Sequence, residues 1–274
     1  MKKIRPLHSG RVLLYLTALL CTAAKIHSQD VEKVRELPAK VSHAEPLYLD
    51  LVRDLGARKG EKEINIGADY RRNSNYYTEA FLVEYEFAPV HRLGLEIEAD
   101  FSFFRNRGNA SEVPGNKLEA LRFSSQYSFW VSEKHRATLA LGYAQILELT
   151  DFRKYGKENL IAGTAYNPFF IAAKRWGRHI HSLWYTGPVI RTVFKEHTVT
   201  LWQINTSFHY TMGKGHFAGI EINQEVNAGK VFTTLRPQVK VRLSSSMAIG
   251  YVAGFPITHP GEGFSSFLRL ICEL

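Results

Sequence analysis

Acids recur at alternate positions in two short stretches: Glu84 and Glu86, then Glu96, Glu98 and Asp100. A spacing of two puts side chains of an extended chain on one face. Carboxylates grouped this way can serve as acid and base in glycoside cleavage. They can also charge the wall of a wet passage or pair with cations. Cations stand at the same even spacing in Arg236, Lys240 and Arg242, and Arg122 and Arg269 lie on two further stretches. An acidic wall facing a basic wall would set a field across a lumen and orient small polar solutes. The same charges paired across the lumen would close it. Both readings stay open on sequence alone. Nothing beyond spacing supports the glycosidase reading, so no catalytic residue is assigned.

Histidine is the next candidate. His179 and His181 share a face if their stretch is extended, which makes half of a metal site. They sit beside Arg178 at a turn, where a solvated role is commoner, and no metal is assigned. A barrel phospholipase would carry a His-x-Ser-Asn-Gly string. The nearest string here, His179-Ile180-His181-Ser182-Leu183, lacks both that order and the Asn-Gly. No cofactor is expected.

The elements that position these residues read as β-strands. From Arg92 to Phe103, Leu93, Leu95, Ile97, Ala99, Phe101 and Phe103 alternate with Gly94, Glu96, Glu98, Asp100 and Ser102. The same pattern returns near 62–71, 77–88, 117–131, 136–149, 165–176, 179–193, 198–211, 216–226, 231–243, 247–257 and 264–274. Connections alternate between short turns and longer polar loops, the rhythm of an outer-membrane barrel. Tyr and Trp gather near strand ends, as at membrane interfaces. A soluble sandwich would need a second apolar sheet to bury these stripes; a closed barrel in lipid needs none. The expected fold is all-β: a closed antiparallel transmembrane barrel of about twelve strands over 61–274, preceded by a short helix.

That helix is read from residues 43–60. Leu47, Leu51 and Leu55 are spaced by four with Tyr48 and Val52 beside them, and Pro46 suits a first turn. The stripe would cover the barrel's rim or plug its lumen. Before it, residues 29–42 read as a polar linker and 1–28 as a cleaved signal peptide. Lys2, Lys3, Arg5 and Arg11 precede the apolar run 12–24, which is shorter than a helical span. Residues 1–28 hold five Lys/Arg and no acid, so removing them takes the net charge from +9 to +4. Export and this modest charge argue against nucleic acid. Cleavage near Ser28 leaves Cys272 alone, without an internal disulfide partner.

The segment from His43-Ala44-Glu45-Pro46-Leu47-Tyr48 through Arg53-Asp54-Leu55-Gly56-Ala57-Arg58-Lys59-Gly60-Glu61-Lys62-Glu63 resembles the opening of a family of uncharacterised exported bacterial proteins. A second anchor is Leu82-Val83-Glu84-Tyr85-Glu86-Phe87-Ala88-Pro89-Val90-His91-Arg92-Leu93-Gly94-Leu95-Glu96. The resemblance implies an outer-membrane barrel with no assigned activity. One departure from barrels in general is the aliphatic terminal residue, Leu274, where many end in an aromatic.

Three functions follow as expectations. The first is a non-enzymatic, porin-like channel or binding barrel in outer-membrane lipid, serving small polar solutes through its charged lumen. The second is an outer-membrane hydrolase acting on lipid or glycan. The third is a structural envelope barrel whose 43–63 segment binds a periplasmic partner.

Overall fold

Alternation decides the architecture. A strand with one apolar and one polar face must set each against a different medium, and a closed ring of such strands does so without an edge. The computed structural model describes residues 37–49, 51–108, 113–194, 198–213, 215–258 and 262–274. The expected signal peptide and most of the linker lie outside them. Twelve strands follow in order: β1 (Lys62–Asn73), β2 (Tyr76–Val90), β3 (Leu93–Asn106), β4 (Lys117–Ser132), β5 (Ala137–Leu149), β6 (Ile161–Trp176), β7 (Ile180–Val193), β8 (Thr198–Thr211), β9 (Phe217–Asn227), β10 (Lys230–Arg242), β11 (Met247–Pro256) and β12 (Glu262–Glu273). Each pairs antiparallel with its sequence neighbours, and β1 pairs with β12 from Glu63↔Glu273 to Asn73↔Glu262 to close the barrel.

The two faces separate as the pattern predicts. Ile97 is 50% exposed and Phe81 46%, whereas Glu98 is 4% and Glu84 1%. Most large apolar side chains therefore point outward, where lipid would cover them, and the acids point inward; Phe169, Ile171, Leu183, Phe217 and Phe267 are inward exceptions.

The turns at one mouth are all short: 91–92, 133–136, 177–179, 212–216 and 243–246. Long connections, 107–116 and 150–160, occur at the other mouth alone. The loop expected at Asn227 to Lys230 tightens to a two-residue turn. There Ala228 (φ 48°) and Gly229 (φ 75°) adopt the left-handed conformation that matches strand twist.

One expectation fails. Among the described residues, 43–60 forms no helix; it runs through bends and turns. The reason lies in where its amides go. An α-helix bonds each N–H to the carbonyl four residues back. Here the Leu47, Tyr48 and Leu49 amides donate instead to Glu221, the Leu55 amide to Glu45, and the Gly56 amide to Ser128. The apolar spacing still buries Leu47, Leu51 and Leu55, at 2%, 2% and 1% exposure.

Candidate functional site: a strap across a charged lumen

Inward positions on adjacent strands bring the acids together. Asn65 pairs in register with Glu84 and Glu63 with Glu86, while Glu84 pairs with Glu98 and Glu86 with Glu96. Directly opposed like charges repel unless countered. Arg269 reaches across from β12 to the Glu84 carboxylate. Arg122 on β4 stands 3.5 Å from Glu98 and 3.8 Å from Asp100. Ser124 donates to Glu96 at 2.9 Å. The Asn65 amide nitrogen lies 2.9, 2.5 and 2.7 Å from Glu63, Glu84 and Glu86. Of the cations named from sequence, Arg122 and Arg269 thus sit among the acids and do not face them. One carboxylate oxygen each of Glu84, Glu86 and Glu96 lie within 4.8 Å of one another, a donor type that suits hard cations. Arg269, Arg53 and Asn65 already contact Glu84 and Glu86 there.

Arg53 comes from the N-terminal segment, not from the wall. Its guanidinium is 2.8 Å from Glu63 and 3.4 Å from Glu86. It is the least exposed charge of a strap, residues 38–49 and 51–57, that runs through the lumen. Gly94 makes room for it: a Cβ there would sit 2.5 Å from the Arg53 Cβ. Gly250 does the same for Leu47, whose Cδ2 would lie 2.7 Å away.

Two apolar patches of the wall receive the strap's side chains. Leu51, Val52 and Leu55 pack with Ala140, Phe169, Ile171, Ala173, Leu183 and Tyr185 from β5, β6 and β7. Ala44 and Leu47 pack with Phe217, Ala248, Val252, Phe267 and Ile271 from β9, β11 and β12. Full burial of a leucine stabilises by about 2 kcal/mol, so these contacts are a substantial part of the strap's hold. Tyr48 lies under Arg236, whose guanidinium carbon is 3.4 Å from the ring centre. A cation over an aromatic face is attracted by the ring's quadrupole.

Polar groups fix the strap's path. Glu221 accepts three successive amides: Leu47 and Tyr48 at 2.9 Å and Leu49 at 3.1 Å. Gln238 accepts from Leu47 at 2.8 Å. His181 Nδ1 accepts from Ala44 at 2.7 Å, and Gln126 donates to the Arg53 carbonyl at 2.6 Å. Residues 38–42, read from composition as linker, include buried Val41 and Lys40, which bonds Asp54 at 3.0 Å and Glu61 at 2.8 Å.

The strap's own ionisable groups are perturbed. Burial, then the charge of neighbouring Asp54, pushes Glu45 up to about 8. Asp54 is penalised by burial, but Arg53 and Lys40 more than offset this and hold it well below the carboxylate range. Burial, followed by His181 and Arg175, brings His43 down to about 4.

Sequence reasoning missed Glu221, Gln238, His181 and Arg53 as strap contacts. The available signal was Glu221, an acid that shares the inner face of β9 with Glu225. The remaining expected cations lie toward the short-turn mouth. Lys240 lines a cavity there, and Arg242 is 3.3 Å from Glu273 and donates to the Ser244 and Ser245 carbonyls. His179 and His181 do not converge: His181 is inside, while His179 is exposed and bonds the Thr211 carbonyl at 2.8 Å. Ser182, on the outer face, accepts from the Trp176 indole at 2.9 Å. The strap lines cavities on both of its sides. Tyr48, Leu49 and Val52 border one of 320 Å³ with the acidic wall; Ser42 to Glu45 and Asp54 border one of 590 Å³ at the short-turn mouth.

Solved structures share this architecture. An outer membrane channel from Pseudomonas putida F1 superposes with a TM-score of 0.64 at 11% identity, over 87% of this chain and all of that one. The KdgM porin gives 0.53 at 10% identity, over 77% and 99%. A KdgM porin in complex with disordered oligogalacturonate gives 0.50 at 11%, over 76% and 97%. At these identities the likeness is one of fold, that of outer-membrane barrels. No curated protein matches the sequence. The family-level match covers nearly the whole chain, and the family's descriptive string, HAEPLYID, is spelled by residues 43–50 but for Leu49. With residues 39–273 matched, strap and barrel together, the chain belongs to the HAEPLYID-like family.

Proposed function

We propose that this protein is a porin-like channel of the bacterial outer membrane, exported by a cleaved signal peptide, that passes small polar solutes and is held closed by its own strap. The observation that carries the reading is a lumen lined with charge and crossed by residues 38–57, which anchor to strands all around the ring. A wall needed only for stability is filled more cheaply with apolar side chains, because buried ion pairs repay little of their desolvation. Barrels of eight strands are filled by side chains and those of sixteen are open, so a lumen of intermediate width has room for one chain segment. The fold shared with a channel and a porin supports the same reading. The short-turn mouth then faces the periplasm, where the strap's N-terminal end is within reach of a periplasmic partner. Liposome swelling tests the proposal. Vesicles bearing the chain should admit small sugars and amino acids slowly, and a chain lacking 43–57 should admit them faster. Equal, negligible swelling from both would contradict it.

A further inference from the structure

The short-turn mouth holds the 590 Å³ cavity, and its lining carries an uneven set of charges: Arg175, Arg178, Lys240 and Arg242 against Glu45, Asp54 and Glu273. The acids are engaged. Glu273 is 3.3 Å from Arg242, Asp54 is 3.0 Å from Lys40, and Glu45 accepts the Leu55 amide at 3.1 Å. Among the described residues, Arg175, Arg178 and Lys240 have no carboxylate oxygen within 4.0 Å, although Glu45 and Asp54 act on Lys240 from beyond that distance. A cavity walled by protein with a surplus of one sign of charge concentrates ions of the other sign.

Two donors in this lining lack an acceptor. His181 is 4% exposed. Its Nδ1 accepts the Ala44 N–H, which leaves the ring proton on Nε2, and Nε2 is buried without a partner. The Nε–H of Arg175 is also buried without a partner, a state it shares with Arg53, Arg58, Arg92, Arg122 and Arg236, so His181 is the more telling of the two. Buried donors are seldom left unpaired in folded proteins, and each that is calls for an explanation. Both atoms are shut from solvent as the side chains stand, so an acceptor from solution reaches them once a neighbouring side chain of the lining swings aside. Oxygen-rich anions suit guanidinium groups in particular, since they accept several parallel N–H bonds at once.

We infer that this mouth is an oxyanion-binding site. His181 Nε2 and Arg175 donate to the anion, and Arg178 and Lys240 supply charge. Phe217, Ala248 and Ile271 line the same cavity, so a small organic phosphate or carboxylate can rest its carbon skeleton there. Because Ala44 bonds the same imidazole, an anion on Nε2 also steadies the strap's first residues. The site does not depend on conduction: swelling assays can fail while anion binding holds, and the reverse.

Calorimetric titration of the full chain in detergent, at constant ionic strength, tests the inference. Inorganic phosphate is the probe, with acetate and chloride as comparisons. Phosphate should saturate with a dissociation constant below about 10 mM. Arg175→Gln should weaken it about tenfold, with a similar loss for His181→Phe. Arg105→Gln, at the far mouth, should change nothing. Acetate binding as tight as that of phosphate would support an oxyanion site that does not select phosphate. No saturable binding by the unaltered chain would overturn the inference, whatever the variants do. So would binding that chloride matches, or that Arg175→Gln and His181→Phe leave intact in barrels that assemble normally.

Discussion

The two halves of the strap share apolar packing and differ in how far strand side chains hold their backbone. Residues 51–57 are held chiefly by their own side chains: Leu51, Val52 and Leu55 fill an apolar patch, and Arg53 enters the acidic wall, with fewer wall contacts to the backbone, from Ser128 and Gln126. Residues 44–49 bury Ala44 and Leu47 in a second apolar patch, and in addition their amides are taken by His181, Glu221 and Gln238. Side-chain anchoring leaves a trace in the local sequence. Backbone anchoring does not, because the residues that do the holding lie on strands far along the chain. The contrast also has a mechanical sense. The acceptors that hold 44–49 can be competed for, but Leu47, like Leu51 and Leu55, must also be pulled into water.

Substitutions can break that comparison at either half. The opening free energy of each half is measurable by hydrogen exchange of the strap's amides. The largest effect is expected from Arg53→Ala, which leaves Glu63 and Glu86 buried with a lost counter-charge; losing one member of a buried pair costs about 3–5 kcal/mol. Leu55→Ala should follow, at about 2–4 kcal/mol for a fully buried leucine. It should loosen 51–57 more than 44–49. Glu221→Gln keeps one acceptor oxygen but loses the charge and the second, so about 1–2 kcal/mol is expected, concentrated at Leu47 to Leu49. If Glu221→Gln opened 51–57 as much as 44–49, the strap would be a single cooperative unit and the distinction between halves would fail.

The smallest effect is one of pH. The closed strap keeps Glu45 protonated up to about 8, against 4.5 ordinarily. It therefore binds more protons than the released strap in that window, and closure weakens as pH rises through it. His43 acts in the opposite sense. Held at about 4 against 6.5, it makes closure weaken as pH falls from 6.5 to 4. The two oppose each other below pH 6.5, so the net loss of protection should appear between about pH 6.5 and 8. Glu45→Gln should flatten it.

The barrel itself was legible because alternation reports a physical fact directly: which side of a strand meets lipid. Strand number, closure and the inward direction of Glu84, Glu98, Lys240 and Arg269 all follow from parity. Parity does not tell which neighbour a side chain meets. Arg122 and Arg269 read as part of a basic wall, yet register sets Arg122 opposite Glu98, and Arg269, opposite Gly67, reaches across β1 to Glu84. The spacing of Leu47, Leu51 and Leu55 correctly marked a buried stripe. It misled on conformation, because a helix and a strap wedged between two patches can both bury every fourth residue. What separates them is the destination of the amides, and Glu221 lies 174 residues beyond Leu47.

The central claim is that the strap closes a passage. Single-channel conductance in planar bilayers tests it most directly, comparing the intact chain with Arg53→Ala under one salt and voltage. The account predicts a small or rarely open conductance for the intact chain and larger or more frequent openings once Arg53 is removed. Indistinguishable conductance from the two, with both barrels assembled, would contradict it.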